Sequence, residues 1–281
     1  MSTLTTHTTA SRDSHSIGLC KFNTTSKAIE VSDGNNWLIY EYDSSYNPQV
    51  NNFAVSYDGT DDYHLVALDG TSTGGVLATN DTDVELTISA WVKPIAIGNT
   101  KTYISWAETS NSSAPFVILQ HNRLYVDGNF RTLSTNLTQN SWNHVLITRT
   151  ASSNDWNLFL NGNSTAVMTY NDSGSPANRG NADDFYVGSG FGGVVNCVID
   201  DLAFWNSDKS SELVNIYGSA TAGSGSPTDL TSLSPYGWWR MGDGESGVAD
   251  GGAAGTITNI GSTANNLTVG GGSPTYTNSV V

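Results

Sequence analysis

The sequence has little cysteine, little positive charge and no long apolar run. Its two cysteines, Cys20 and Cys197, lie far apart and match no spacing such as C-x-x-C, which excludes a disulfide framework and a structural zinc site; both read as free thiols. Lys and Arg number 11 against 26 Asp and Glu, a formal net charge of -15 that repels a phosphate backbone, so nucleic acid is not an expected partner. No stretch approaches the ~20 apolar residues of a membrane helix, and the opening "MSTLTTHTTASRDSHS" has no apolar h-region. A membrane anchor and a signal peptide are therefore not expected. The five histidines are scattered without a zinc-type pair.

What the chain has is Gly, Ser, Thr and Asn in abundance, with turn dipeptides between short apolar stretches, the composition of many short strands. At 281 residues it fits one large β-sandwich with appendages. Residues 1–18 are polar and aperiodic and read as an extended N-terminal arm. Residues 19–48 read as a small β-hairpin, with "LCKFN", "AIEVS" and "WLIYEY" around "TTSK" and "DGNN" turns. Residues 49–218 form the main body. In "VELTISAWVKP", Val84, Leu86, Ile88, Ala90 and Val92 alternate with Glu85, Thr87, Ser89 and Trp91, the period of a strand with one face in a core, and Pro94 ends it. Asp58-Gly59 and Asn161-Gly162 mark hairpin turns. "KSSELVNIY" predicts a helix over 209–217 with Ser210 or Ser211 as N-cap. Residues 219–281 begin with a flexible "GSATAGSGSP" linker, followed by a C-terminal β segment that packs on the sandwich or on a neighbouring subunit.

"VSYDGTDDYHLVAL", "LTISAWVKP", "SWNHVLITRT", "WNLFLNGN", "FYVGS" and "IDDLAFWN" followed by "SSELVNIY" occur in an order that resembles laminin G-like, concanavalin A-like domains. The resemblance implies an all-β jelly-roll sandwich and covers roughly residues 52 to 218. It says less about ligand, because that fold hosts lectins, glycanases and structural modules. "KFNTTSKAIEVSDGNNWLIY" is similar to a short repeat of phage tail fibres, and "SPYGWWRMGDG" with "NNLTV" to segments beside laminin G-like domains in marine phage structural proteins. One departure stands out: in many laminin G-like chains a "WWR, GDG, D" segment precedes the "DGTDDY" strand, whereas here it follows the domain.

Glycanases of this fold resemble one another in an E-x-D-x-x-E strand motif, and retaining chemistry needs two carboxyls about 5 Å apart. None of the six glutamates fits, and Asp200-Asp201, adjacent on a strand, should point to opposite faces, so no catalytic residues and no enzyme activity are expected. The resemblance implies a calcium near the "DGTDDY" turn with an aspartate from "IDD", which makes Asp58, Asp61, Asp62, Asp200 and Asp201 the candidate ligands. The alternative is that Asp58 and Asp61 shape the turn and Asp200 bonds backbone. Trp106, Trp156, Trp238 and Trp239 are the candidate rings for stacking on a sugar, against packing in the core.

A lone hairpin is marginal in water, so the 19–48 segment needs a partner surface, with Phe22, Trp37, Leu38, Ile39 and Tyr40 as the candidate contact residues. The resemblances imply a non-enzymatic phage virion structural protein, a capsid decoration or short fibre subunit that displays a lectin-like domain. Made in the host cytoplasm, it would meet other capsid or tail proteins and further copies of itself. A trimer is compatible, although no heptads enforce one. The alternative is a carbohydrate-binding module for host surface glycans, with or without calcium.

Overall fold

The computed structural model describes the backbone of residues 6–7, 20–23, 28–32 and 37–40, and residues 51–67, 85–107, 117–126, 128–173, 184–190, 193–263 and 265–281. Two compact units divide the chain, Met1–Val50 and Asn51–Val281. In the first, strands β2 (Cys20–Asn23), β3 (Ala28–Ser32) and β4 (Trp37–Tyr40) form an antiparallel meander, and β1 (Thr6–His7) adds parallel to β2. The side chains of Cys20, Phe22, Trp37, Leu38, Ile39 and Tyr40, and the rest of the arm, lie outside the described residues. No helix among the described residues is long and apolar enough to cross a membrane.

The second unit is an antiparallel sandwich. One sheet runs β11 (Asn129–Thr132), β10 (Arg123–Val126), β9 (Val117–Gln120), β8 (Thr102–Ala107), β15 (Asp184–Val187), β6 (Tyr63–Ala67) and β18 (Thr268–Gly271). The other runs β14 (Met168–Asn171), β13 (Asp155–Leu160), β12 (Asn143–Thr150), β7 (Leu86–Pro94), β16 (Asn196–Trp205), β5 (Ala54–Asp58) and β19 (Thr275–Thr277), with β17 (Gly237–Trp239) paired to β16. The facing sides supply one core: Leu86, Ile88, Ala90 and Val92 from β7 meet Ile104, Leu119, Leu124 and Phe185 from the opposite sheet. Cys197 is a free, buried member of it.

The alternation in β7 is real, yet both its faces are buried. Its outer side is covered by a second, smaller cluster of Leu146, Ala203, Trp205, Leu213, Ile216, Leu230 and Trp238. Leu213 and Ile216 come from the short helix α1 (Leu213–Tyr217) behind a 3-10 turn at Ser210–Glu212. Neither Ser210 nor Ser211 caps it: the Asp208 carboxylate accepts the Ser210 amide, and Gly218 closes the far end at φ 77°.

Both sheets are completed by the C-terminal segment of the same chain. β18 pairs with β6, β19 with β5, and β17 with β16. His64, buried in the core, joins the two halves: Tyr57 Oη bonds its Nδ1 at 3.0 Å, and its Nε2 reaches the Gly255 and Ala254 carbonyls at 2.8 and 3.1 Å.

Candidate functional site

The acidic turn after β5 is compact. Asp58, Asp61 and Asp62 bring carboxylate oxygens within 4.8 Å of one another, Asp58 and Asp61 exposed and Asp62 buried. The turn uses much of this oxygen itself. Asp62 Oδ2 accepts the Asp58 amide at 3.0 Å, Asp62 Oδ1 accepts the Ser273 amide, and Asp58 Oδ1 accepts the Thr60 amide at 2.7 Å. That last bond is the main reason the Asp58 carboxyl titrates below its ordinary value. The Asp58 and Asp62 carboxylates therefore brace the turn, and Asp62 ties it to the C-terminal segment, the role of Asx residues in tight turns.

Asp200 and Asp201 do not join them. In the β16–β5 register Asn196 lies opposite Asp58 and Ile199 opposite Val55, which sets Asp200 four residues further along, about 13 Å away at ~3.3 Å per residue. The five-aspartate set expected from the sequence is thus two separate sites. The expectation that Asp200 and Asp201 face opposite sides also fails. The β16–β7 register slips between Asp200 and Ala203, and Asp201 takes a left-handed φ of 44°. This bulge inserts an extra residue, so alternation is suspended and both carboxyls turn outward beneath the covering layer.

There they meet a residue the sequence reading passed over. Asp243, in the "RMGDG" turn after β17, accepts the Asn52 and Phe53 amides on Oδ1 at 2.9 and 3.1 Å and pairs with Arg240 through Oδ2 at 3.2 Å. Asp201 Oδ1 accepts the Trp238 indole N–H at 2.6 Å, and Asp200 Oδ1 accepts the Asp201 amide at 2.8 Å. Asp200 Oδ2 is buried and has no hydrogen-bond partner among the described residues. Burial first, then the Asp201 charge, pushes the Asp200 carboxyl well above the carboxylate range; the Asn51 side chain beside it opposes that shift. Burial likewise lifts Asp201 to about 6 against the indole N–H of Trp238. The flanking glycines of "MGDG" mark a turn in sequence, but nothing local shows that its aspartate reaches residues 52 and 53.

The four candidate stacking tryptophans are core residues. Trp106, Trp156, Trp238 and Trp239 are each 2% exposed or less, so none offers a ring face to a sugar. Trp156 donates to Asp172 and Trp239 to the Asn265 carbonyl, which explains how their N–H groups tolerate burial. Half-exposed aromatics lie instead on the outer face of the seven-stranded sheet. Register sets Phe130, Tyr125, Ile118, Ser105, Tyr186 and Leu65 in one row across it. Ser105 and Ile118 in the middle are buried, and the Ser189 carbonyl accepts the Ser105 hydroxyl. At one end Tyr63 and Tyr186 hold their rings 6.0 Å apart at 47°, with the Tyr186 hydroxyl 3.3 Å from Asp184 Oδ2. At the other, Tyr125 and Phe130 meet edge to face and the Arg123 guanidinium covers Phe130 at 3.7 Å. The signal for Tyr63 and Tyr186 was present in sequence, since each alternates with core residues of its strand: His64 and Val66 for Tyr63, Phe185 and Val187 for Tyr186.

Residues 69–215 match the sequence profile of the concanavalin A-like lectin/glucanases superfamily, just over half of the 281. The chain belongs to this superfamily. No curated protein sequence matches it. Among solved structures, a Bacteroides ovatus protein described as a candidate carbohydrate-binding protein superposes with a TM-score of 0.53 at 14% identity, over 80% of this chain and 59% of that one. The chain thus spans about three-fifths of that protein's length. A SAP-like pentraxin of Limulus polyphemus gives 0.41 at 13% identity, over 61% and 82% of the two chains. Domain 4 of a Geobacillus stearothermophilus arabinanase gives 0.42 at 16%, over 58% and 75%. At these identities the likeness is one of fold, and the superfamily's architecture, a lectin-like sandwich, is what the chain shares.

Proposed function

We propose that the lectin-like unit is a non-enzymatic glycan-binding module, and that the chain is a virion surface protein that displays it. The observation that carries the binding reading is the half-exposed Tyr63–Tyr186 pair beside Asp184 on the outer face of the seven-stranded sheet. Tyrosine rings give apolar faces for the C–H side of a pyranose, and the carboxylate and phenol edges accept and donate to its hydroxyls. The description of the Bacteroides ovatus protein agrees with this reading. Against catalysis stands the placement of the raised carboxyls: Asp200 and Asp201 are buried beneath the covering layer, and Asp243 is spent on the Asn52 and Phe53 amides. A glycan array probed with the full chain tests the reading. A defined set of ligands should be retained, and Tyr63→Ala with Tyr186→Ala should lower affinity at least tenfold without changing the Tm by more than a few degrees. Binding unchanged in the double variant, or no ligand at all, would refute it.

The virion reading rests on a different observation, the separate N-terminal unit of four short strands. Such a small sheet buries little apolar surface of its own, and attachment to other virion subunits would supply the rest. Residues 1–50 should then resist protease on assembled particles and be cut rapidly from the free protein. Equal cleavage in both would count against it.

A further inference from the structure

Charge is unevenly spread along the chain. Residues 86–154 hold five Lys and Arg against two acidic residues, a net +3, so the other residues carry -18. In that stretch, on the outer face of the seven-stranded sheet near its β11 edge, the Arg123 guanidinium is fixed by three contacts. Its Nε donates to Gln120 Oε1 at 2.7 Å, its Nη2 donates to the Asn99 carbonyl, and its Cζ stands 3.7 Å from the centre of the Phe130 ring. Gln120 is in turn held: 1% exposed, it donates through Nε2 to Thr102 Oγ1 at 3.3 Å.

Everything that holds Arg123 is neutral. Arg149 and Arg240 pair with Asp172 and Asp243, but no carboxylate among the described residues pairs with Arg123. Two of its five N–H groups are spent on these partners, and three remain. Tethering the side chain costs rotamer freedom and burying Gln120 costs hydration, and no counter-charge among the described residues offsets either. The acidic turn is too distant to serve: from β10 to Tyr63 on β6 are four strand spacings, about 19 Å, against a Debye length of ~8 Å at physiological salt. A guanidinium held over a ring with its fork open is a pre-organised receptor for an oxyanion.

We propose that this corner is an acidic-sugar subsite. Arg123 takes a carboxylate or sulfate substituent, while Phe130 and Tyr125, half-exposed and edge to face at 5.1 Å, pack against the C–H side of the ring that bears it. The proposal rests on the reading that the outer face binds glycans, and the subsite lies apart from the Tyr63–Tyr186 pair. Tyr125 and Tyr186 are three strand spacings apart, about 14 Å, and between them Gly190 lies so close over Ser105 that an added Cβ would fall 1.9 Å from its hydroxyl. The two rings decide for a sugar. A free inorganic anion would use the guanidinium alone, and an acidic peptide would need several cations within reach, whereas Lys101 stands about 10 Å away across two strand spacings. The subsite gives a chain of net charge -15 a preference for acidic glycans that its overall composition opposes.

The test measures binding to the full chain by calorimetry at about 0.15 M salt, with probes matched in pairs: hexagalacturonate against its methyl ester, and dextran sulfate against dextran. At least one acidic member should bind roughly tenfold more tightly than its neutral partner, and the pair that shows it tells carboxylate from sulfate. Arg123→Gln should erase that preference and leave the neutral ligand unchanged. Arg123→Lys, which keeps the charge and loses the fork, should stay roughly threefold below the parent. Tyr63→Ala with Tyr186→Ala should weaken acidic and neutral members alike. Sugars that bind without preference, or a preference that survives Arg123→Gln, would overturn the subsite and leave the glycan reading standing. Failure of all four probes would also overturn the subsite, and the glycan array then decides the broader reading separately. Polyglutamate bound as tightly as hexagalacturonate, and equally dependent on Arg123, would overturn it too and would make the corner a docking surface for acidic protein.

Discussion

Acidification offers a direct measure of how dry the outer layer is, through His144. Its ring, on β12, packs against the stacked Trp91 and Tyr217 rings, with centroids 5.0 and 5.3 Å away, and its Nε2 meets the Ser89 hydroxyl at 2.9 Å. His144 Nδ1 is buried without a partner among the described residues. Burial alone drives its pKa down to about 3, from 6.5 in a solvated chain. A base whose folded pKa lies below its unfolded one takes its proton in the unfolded state, so folding is favoured fully above about pH 6.5 and progressively less as the pH falls toward 3. At about pH 5 the unfolded histidine is some thirtyfold more protonated than neutral, and RT times the logarithm of that ratio is about 2 kcal/mol. The figure hardly depends on the folded value, provided that it stays under ~4. In a sandwich of this size about 2 kcal/mol corresponds to roughly 4–8 °C in Tm.

Other groups titrate over the same range, some in the opposite sense: the raised carboxyls of Asp200, Asp201 and Asp243 gain stability on acidification. A paired measurement isolates the histidine. Urea unfolding of the parent and of His144→Gln, each at about pH 7.5 and about pH 5, should show a stability difference that shifts by about 2 kcal/mol in favour of the variant at the lower pH. Gln keeps a hydrogen-bonding group for Ser89 and carries no charge at any pH. If the two pH profiles run parallel, His144 is solvated in the folded protein and the covering layer by α1 is not closed.

Three further perturbations probe other parts of the sandwich. Arg149 and Asp172 pair at 2.7 Å with both side chains fully buried, so Asp172→Asn, which strands a guanidinium, should cost about 3–5 kcal/mol in urea unfolding, and replacing both partners by apolar residues should cost less. Gly162 has φ 71° and an added Cβ would fall 2.2 Å from the Tyr217 ring, so Gly162→Ala should destabilise by roughly 3 kcal/mol, whereas Gly128→Ala, at φ 76° with open space around it, should cost about 1 kcal/mol. Ending the chain at Leu267 removes β18 and β19, uncovers the edges of both sheets and takes the Ser273 amide from Asp62; it should leave a protein that binds a hydrophobic dye and lacks a cooperative thermal transition.

The strands were legible because each carries its own period: Leu86, Ile88, Ala90 and Val92 announce β7 without reference to any other segment, and Asp58-Gly59 and Asn161-Gly162 announce their turns. What alternation does not reveal is whether a second layer lies over the outer face. Trp238 is buried for that reason, under the layer that carries α1, whereas Trp156 lies in the core between the sheets beside the Arg149–Asp172 pair, and a tryptophan read alone looks as suited to a sugar as to a core. The Asp200–Asp201 bulge was equally hidden, since an aspartate at a left-handed φ has no sequence mark of the kind glycine provides. Both misreadings are failures to see contacts between distant segments.

The C-terminal segment shows the same limit from the other side. Thr277 lies opposite Ala54 and Thr275 opposite Ser56, so β19 runs into β5 in the register of a hairpin, with its last residue beside the other strand's first. A few residues joining 278 to 53 would make that pair an ordinary hairpin, and would place "WWRMGDG" ahead of "DGTDDY", the order in the chains it resembles. The sheet is therefore indifferent to where the covalent connection is broken, because its stability comes from pairing and from the shared core, both of which survive the rotation of the sequence. What the rotation changes is access: Asn51 and Asn52 begin the sandwich instead of sitting in a loop, and Asp243 holds this entry in place through the backbone amides of Asn52 and Phe53. An aspartate that looks like a turn residue in sequence thus becomes the anchor for the point at which the chain enters the fold.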